Sequence, residues 1–328
     1  MSSEPVSSVR SESVSGSGAW PAVGPDGPVV VAVDGSEGSG RALEWALDAA
    51  RLRAAPLRIV HVRGYEVPLV DGPFASVVER GEGDPVLDRT RESLVGRAGL
   101  PELEFVTVDG SPGRELPRLG AEAGLLVLGS RGRGGFASLL LGSNGLACAR
   151  DAACPVVVVP RPAADPEPGS PEASVPDAGP RVVLGHSAPA PDENALAFAF
   201  AEAGRRGARL QVIAAYPWPV LSCTPTGEFV MKAVEDAETE REYGKLTEDQ
   251  LAPYRERHPE VGVDVFIAPG DAARHLVEAA HAADLVVVGR HRRRLGPGRM
   301  LGSVTHAVLL HAGIPVAVVP PSPSGENA

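Results

Sequence analysis

The sequence predicts two tandem α/β domains, each built on an open parallel sheet. Three observations predict it. First, short apolar runs rich in β-branched residues alternate with helical patterns: residues 29–34, 57–62, 103–108, 125–129 and 156–159 read as strands. Such alternation implies right-handed strand–helix–strand crossovers and a sheet covered on both faces. Second, the pattern recurs. Leu43 aligns with Leu196, and Leu57-Arg58-Ile59-Val60 with Leu210-Gln211-Val212-Ile213, at a constant offset of 153. Gly110, Leu116, Gly129 and Gly142-Ser143 align with Gly270, Leu276, Gly289 and Gly302-Ser303 at an offset of 160. Third, residues 161–180 are rich in Pro, Ala, Asp and Glu without periodicity, which marks a semi-stiff linker between the two repeats.

The elements follow in order. Residues 1–27 are polar, with Trp20 the main apolar anchor, and are expected to be disordered. The first domain spans 28–160. After its first strand, residues 39–53 read as a helix with Leu43, Ala46, Leu47 and Ala50 on one face. Residues 64–85 read as an irregular connection. Asp84 or Asp88 then starts a helix running to about residue 98. A short helix at 114–123 is interrupted early by Pro117. Ser143, a good N-cap type, opens a helix over 143–152, with Arg150 near its end. The second domain spans 181–320 and carries seven extra residues between its second and third strands. They lengthen a polar helix around 232–257, where Glu and Arg support i,i+4 pairing. Residues 321–328 form a C-terminal tail.

Composition narrows the function classes. Hydrophobic residues make up 43% of the 328, enough to supply two cores. No apolar stretch approaches the ~18–20 residues of a membrane helix. The N-terminus lacks the apolar core of a signal peptide, so a cytoplasmic location is expected. The net charge of −11 argues against a general nucleic-acid binder. The basic run Arg290-His291-Arg292-Arg293-Arg294 has no interleaved aromatics and reads as a solvated loop. Cys148, Cys154 and Cys223 show no metal or redox spacing, and the eight histidines show no ligand spacing. Gly244-Lys245 is followed by Leu246, so no P-loop is present. No nucleophile elbow with triad partners stands out, and nothing supplies the carboxylate and lysine set of phosphoryl transfer. Binding is a better expectation than efficient catalysis.

The most informative stretch runs from Gly129 to Asn144. A buried strand stops at Gly129. Gly132, Gly134 and Gly135 keep the next stretch irregular, and Gly142-Ser143 opens a helix. Strand, glycine loop and helix N-terminus form an anion site in physical terms, because backbone N–H groups can approach and the helix start carries partial positive charge. Arg131 and Arg133 add full charges. Asp34, at the end of the first strand, can face the same crevice beyond the carboxyl ends of the strands.

The order Gly-x-x-Gly, nine residues, Gly-Ser, carried by Gly129, Gly132, Gly142 and Ser143, resembles the ATP-binding signature of the universal stress protein family. Val29-Val30-Val31-Ala32-Val33-Asp34-Gly35-Ser36 resembles that family's first strand and its terminal Asp. The resemblance implies two Rossmann-like domains of the adenine nucleotide α-hydrolase-like type. It implies ATP as ligand, with or without Mg²⁺, and a role as stress-response regulator. Carried over residue by residue, it places Ala32 and Asp34 near the nucleoside. His61 and Val62 would offer backbone groups to adenine. Gly129, Ser130, Arg131, Gly132, Arg133, Gly142, Ser143 and Asn144 would surround ribose and phosphates. It also implies an intrachain pseudo-dimer through the near-copies 155–160 and 315–320, alongside a homodimer and an unidentified protein partner. Asn144 departs from the apolar or hydroxyl residue common after Gly-Ser.

The two repeats differ where the site would lie. Asp34 corresponds to Ser187, and Gly132 to Arg292. A serine is shorter and uncharged. An arginine side chain would fill space that backbone needs near a phosphate, and a positive φ would disfavour it. The second site is therefore expected to be degenerate. The alternative, in which Arg292 adds charge and the second site still binds, stays open. So do a slow nucleotide hydrolase and a nucleotide-independent scaffold.

Overall fold

The computed structural model describes residues 10–14, 27–64, 83–132, 141–161, 179–216, 220–223, 229–232, 236–290 and 301–321. The chain divides into two compact units, Met1–Val159 and Pro160–Ala328.

In the first unit the elements are β1 (Arg10–Val14), β2 (Val29–Ala32), α1 (Glu37–Arg53), β3 (Leu57–Arg63), α2 (Pro85–Leu94), β4 (Leu103–Asp109), α3 (Pro112–Leu119), β5 (Leu125–Gly129), α4 (Ser143–Asp151) and β6 (Val156–Val159). All its strand pairs are parallel, in the order β1-β4-β3-β2-β5-β6. The parallel α/β architecture expected from the alternation is the one observed. The chain works outward from β2 in one direction and from β5 in the other. The boundary between β2 and β5 is therefore the topological switch point, where α/β sheets open a crevice.

Local chemistry accounts for the elements. Val29, Val30 and Val31 of β2 and Leu125, Leu126 and Val127 of β5 are fully buried, as central strands between helix layers must be. The Ser36 side chain caps α1 by accepting from the Ser39 N–H at 3.2 Å. Ala42, Leu43, Ala46, Leu47 and Ala50 then bury one helical stripe. Asp84 caps α2 through the N–H groups of Val86 and Leu87, with Pro85 at the first helical position. Cys148 and Cys154 are buried, and the Cys148 thiol is pushed up to about 12 by burial, then by Cys154 and Asp151. That thiol packs; it does not attack.

Three elements differ from the sequence expectations. Residues 10–14, expected to be disordered, form β1 in parallel register with β4 from Arg10↔Glu104 to Val14↔Val108. Backbone pairing to an open sheet edge needs little from side chains. Helix α3 starts at Pro112 and contains Pro117 within it. Ser143 is not the cap of α4: Gly142 holds that position, and Ser143 is the first helical residue.

The second unit comprises β7 (Arg181–His186), α5 (Glu193–Arg206), β8 (Arg209–Tyr216), β9 (Val220–Cys223), β10 (Phe229–Lys232), α6 (Asp236–Arg257), β11 (Val263–Pro269), α7 (Ala272–Ala280), β12 (Leu285–Gly289), α8 (Ser303–His311) and β13 (Val316–Val319). Its parallel order β13-β12-β7-β8-β11 repeats the core of the first. The inserted residues extend α6, and the antiparallel β9–β10 hairpin occupies the stretch before it, so the expected helix begins at Asp236 and not at 232. Helix α6 covers one face. Phe200 of α5, fully buried, stacks on Tyr254 of α6 at 5.5 Å between ring centroids. Further along α6, Gln250 reaches the end of β7. His186 Nε2 donates to Gln250 Oε1 at 2.7 Å, and Gln250 Nε2 donates to the Ala188 carbonyl at 2.9 Å.

Two outcomes are expected. Ala54 ends α1 in the left-handed region at φ 49°, while its counterpart Gly207 ends α5 at φ 58°. A Cβ is costly there. Ala54→Gly should stabilise the chain by about 0.5–1 kcal/mol, and Gly207→Ala should cost a similar amount, both read by denaturant midpoints. Burial lowers the pKa of His186, against the opposing hydrogen bond with Gln250. A depressed pKa means the folded state binds the proton less well than the unfolded chain. The stability from neutral His186 is thus complete above the ordinary histidine value of about 6.5 and is lost as pH falls below it. Thermal melts between pH 8 and 5 should show this loss in the wild type and a flatter profile in His186→Gln, which keeps a donor for Gln250 and does not titrate.

Candidate functional site

The switch point of the first unit opens into a cleft lined by Ala32, Val33, Asp34, Ser39, His61, Val62, Pro112, Leu116, Leu128, Gly129, Arg131, Gly132 and Asn144. It forms where β2, β3 and β5 end and where α1, α3 and α4 begin. The fold thereby gathers eight of the twelve residues that the sequence singled out: Ala32, Asp34, His61, Val62, Gly129, Arg131, Gly132 and Asn144. Ser130 does not line it. That residue is buried, with its N–H on the Val159 carbonyl at 2.8 Å. Gly142 and Ser143 stand just outside the lining at the start of α4, with the Gly142 N–H on the Ser130 carbonyl at 2.7 Å. Arg133 lies outside the described residues.

Glycines bring the walls together. A Cβ on Gly129 would stand 2.6 Å from the Gly38 carbonyl oxygen, and one on Gly38 would stand 2.7 Å from the Arg131 carbonyl oxygen. Both approaches are closer than any side chain allows. They seat the first turn of α1 directly on the backbone that follows β5. Gly132 completes the contact, because a Cβ there would collide with Oδ2 of Asp34. The glycine is required by this approach and not by a positive φ, since Gly132 does not occupy the left-handed region. The other Asp34 oxygen, Oδ1, accepts the Ser36 N–H at 2.9 Å, so the carboxylate points back toward the start of α1.

One end of the cleft is suited to an anion. Arg131 lies there beside the glycines, and Gly142, the cap of α4, has no side chain to accept from the helix's first N–H groups. Uncapped amides at a helix start, with a guanidinium nearby, are the physical requirement for holding phosphate. Ser143 and Asn144 are both exposed.

At the other end, His61 and Val62 finish β3. His61 Nδ1 lies 2.7 Å from Oδ2 and 2.9 Å from Oδ1 of Asp84. Asp84 is only 6% exposed, and it also accepts from the Thr107 hydroxyl at 3.0 Å and from the Val86 and Leu87 N–H groups. Burial by itself would raise the Asp84 pKa. The bond and charge of His61, then the Leu87 N–H and the Thr107 hydroxyl, outweigh it and hold the carboxyl below its ordinary value. Asp84 was read in the sequence only as a helix cap. Its second role depends on β3 and β4 lying side by side, which no local pattern shows. Gly38, Ser39, Pro112 and Leu116 were missed as wall residues for the same reason.

The matching place in the second unit is built differently. Residues 190–192 replace the first turn of α1, so α5 begins at Glu193, capped by Asp192. The Asp192 carboxylate lies against Gly289, where a Cβ would collide with it. Ser187 stands where the first unit has Asp34. Ala214 and Ile267 pair in register where the first unit pairs His61 with Thr107. Residues 291–300, including Arg292, lie outside the described residues. Among the described residues, no cluster of three or more His, Cys, Asp or Glu is arranged to hold a metal ion, and no helix is long and apolar enough to cross a membrane.

Comparison with known proteins agrees with the fold. The family model for the universal stress protein family matches residues 27–160 and again 180–320. A universal stress protein of Mycobacterium tuberculosis is 34% identical over 298 residues, covering 88% of this chain and 96% of that protein. Another from Mycolicibacterium smegmatis is 34% identical over 304 residues, covering 89% and 97%. Among solved structures, a universal stress protein from Archaeoglobus fulgidus superposes with a TM-score of 0.57 at 17% identity, covering 91% of this chain and 98% of that one. A functionally unknown protein from Pseudomonas aeruginosa gives 0.59 at 18%, covering 90% and 92%. At such identities the structural likeness speaks for the fold alone. With two matched domains spanning most of its length and relatives of the same two-domain extent, this chain belongs to the universal stress protein family.

Proposed function

We infer that the first unit binds ATP and that the chain acts as a nucleotide-responsive regulator of stress physiology, with the ligand held mainly in that unit. The observation that carries this reading is the meeting of Asp34, Gly129, Arg131 and Gly132 in one cleft at the topological switch point. The glycine spacing that resembles the family's ATP-binding signature thus falls in a crevice with the right chemistry. Asp34 offers a carboxylate to ribose hydroxyls. Arg131 and the uncapped start of α4 offer positive potential to phosphates. The end of β3 offers backbone and His61 to a base. Among the described residues the cleft lining holds one carboxylate, Asp34, and no lysine for phosphoryl transfer, which favours a ligand that shifts conformation or association over a substrate.

The same chemistry favours one strong site per chain. In the second unit the carboxylate of Asp192 sits against the loop glycine, where it repels an anion, and Ser187 cannot replace Asp34 as an ionised acceptor.

Calorimetric titration tests both statements. The wild type should bind about one ATP per chain. Gly132→Val places side-chain atoms on the Asp34 carboxylate. Overpacking of about 1–3 kcal/mol corresponds to a loss of affinity of roughly 5- to 150-fold, with the circular dichroism spectrum unchanged. Undiminished affinity in the folded variant would remove Gly132 from the site. Two sites of equal affinity would contradict the asymmetry.

A further inference from the structure

We propose that the groove between α1 and α2 of the first unit is a second ligand site, separate from the nucleotide cleft. It takes a small carboxylate that also bears a carboxamide, with the carboxylate on Arg89 and the amide on the Gly35 carbonyl.

The groove has a volume of about 180 Å³. The end of β2 and the first turns of α1 line one side, with Gly35, Ser36 and Ser39, and α2 lines the other, with Arg89, Thr90 and Ser93. The crossovers through α1 and α2 step in the same direction along the sheet and therefore lie on one face, whereas those through α3 and α4 step the other way and lie on the opposite face. The nucleotide cleft takes Pro112, Leu116 and Asn144 from α3 and α4; the groove takes its far wall from α2. In a chain of net charge −11, the groove lining holds one cation and no carboxylate. Arg89 Nε donates to the Pro85 carbonyl at 2.9 Å, which leaves both terminal nitrogens of the guanidinium. Arg91 on the same helix is paired with Asp88 at 2.9 Å, but Arg89 has no ion pair among the described residues. Two parallel N–H groups on a planar fork match a carboxylate.

The second unit identifies the other half of the ligand. The repeat offset of 160 already holds at β4, where Leu103 and Val263 take the same register against Leu57 and Leu210. At the two offsets Val33, Gly35 and Thr90, all in the groove lining, correspond to His186, Ala188 and Gln250. Those three are joined: Gln250 Nε2 donates to the Ala188 carbonyl at 2.9 Å, and Gln250 Oε1 meets His186 Nε2 at 2.7 Å. A carboxamide of the chain itself thus occupies this corner in the second unit. In the first unit the side chain at that position ends at the Thr90 hydroxyl, which turns back to the Val86 carbonyl at 2.8 Å. The Gly35 carbonyl has no donor among the described residues. Arg89 corresponds to Asp249, so the cation is present only where the corner is open. A ligand carboxamide supplies the bond that Gln250 makes in the other unit, and its carboxylate meets the guanidinium.

The experiment is calorimetric titration with L-glutamine, which carries both groups, beside L-methionine, which keeps the carboxylate and lacks the amide. The wild type should bind glutamine with a dissociation constant of about 1 mM, the affinity expected for so small a molecule. Methionine should bind about tenfold more weakly. Arg89→Leu should weaken glutamine about tenfold. Thr90→Gln places in the first unit the carboxamide that the second unit carries, and should abolish glutamine binding with ATP affinity and the circular dichroism spectrum unchanged. No binding of glutamine by the wild type at about 10 mM, equal binding of methionine, or undiminished affinity in either folded variant overturns the proposal. Competitive displacement of glutamine by ATP puts it in the nucleotide cleft and also overturns the proposal. If the chain binds no ATP, the nucleotide reading falls and the two variants still decide the groove. If Arg89→Leu does not fold, Thr90→Gln decides.

Discussion

The first unit depends on one close approach, that of the opening turn of α1 to the backbone leaving β5. Gly38 and Gly129 meet with no room for a Cβ on either, and Gly132 meets the Asp34 carboxylate in the same way. These contacts are steric and short-ranged, so they leave little freedom in how the helix start and the loop are placed. That placement brings the N-terminus of α1, the end of β2 and the loop after β5 to one point. Without it, the switch point between β2 and β5 would still exist, but its walls would stand apart. The crevice belongs to the parallel topology; its shape belongs to three glycines.

The second unit shows what happens when this approach is given up. Pro191 and Asp192 stand where the first unit has Gly38 and Ser39, and the helix begins about one turn later. A carboxylate now lies against Gly289. Gln250 of the long α6 reaches over to His186 and the Ala188 carbonyl, tying the strand end to a helix. The hydrogen bonds that a ligand could have made to this strand end are made within the protein. Divergence at Ser187 is therefore one of several linked changes. Each change alters the same corner of the second unit.

Much of the fold was legible because it rests on periodicity. The buried strands Val29–Ala32, Leu125–Gly129 and Val156–Val159 are short apolar runs with turn residues at their ends, and the repeat offsets fixed the second unit from the first. Elements governed by backbone pairing or by position were less legible. β1 is a polar stretch that gains its order from the β4 edge, and β9–β10 is a short hairpin in the stretch between β8 and α6. Within the cleft, Asp34, Gly129 and Gly132 could be singled out because their spacing along the chain carries the signal. Gly38 could not, since its importance lies in a contact made 91 residues away. The Ser143 cap failed for a local reason: Gly142 takes the extended conformation that ends the loop, and the helix begins one residue after it.

Asp84 shows the limit of reading residues one role at a time. As a residue before Pro85 and three short of Leu87, it satisfies every local rule for a helix cap, and it does cap α2. The cap uses mainly Oδ1. The remaining oxygen is brought to β3 and β4 by the parallel register that sets His61 beside Thr107. A buried carboxylate with only part of its acceptor capacity used would be costly, so the cap position selects for donors on the neighbouring strands. A histidine and a threonine supply them here. A requirement of helix capping in this way propagates, through two strands, to a side chain that lines the cleft.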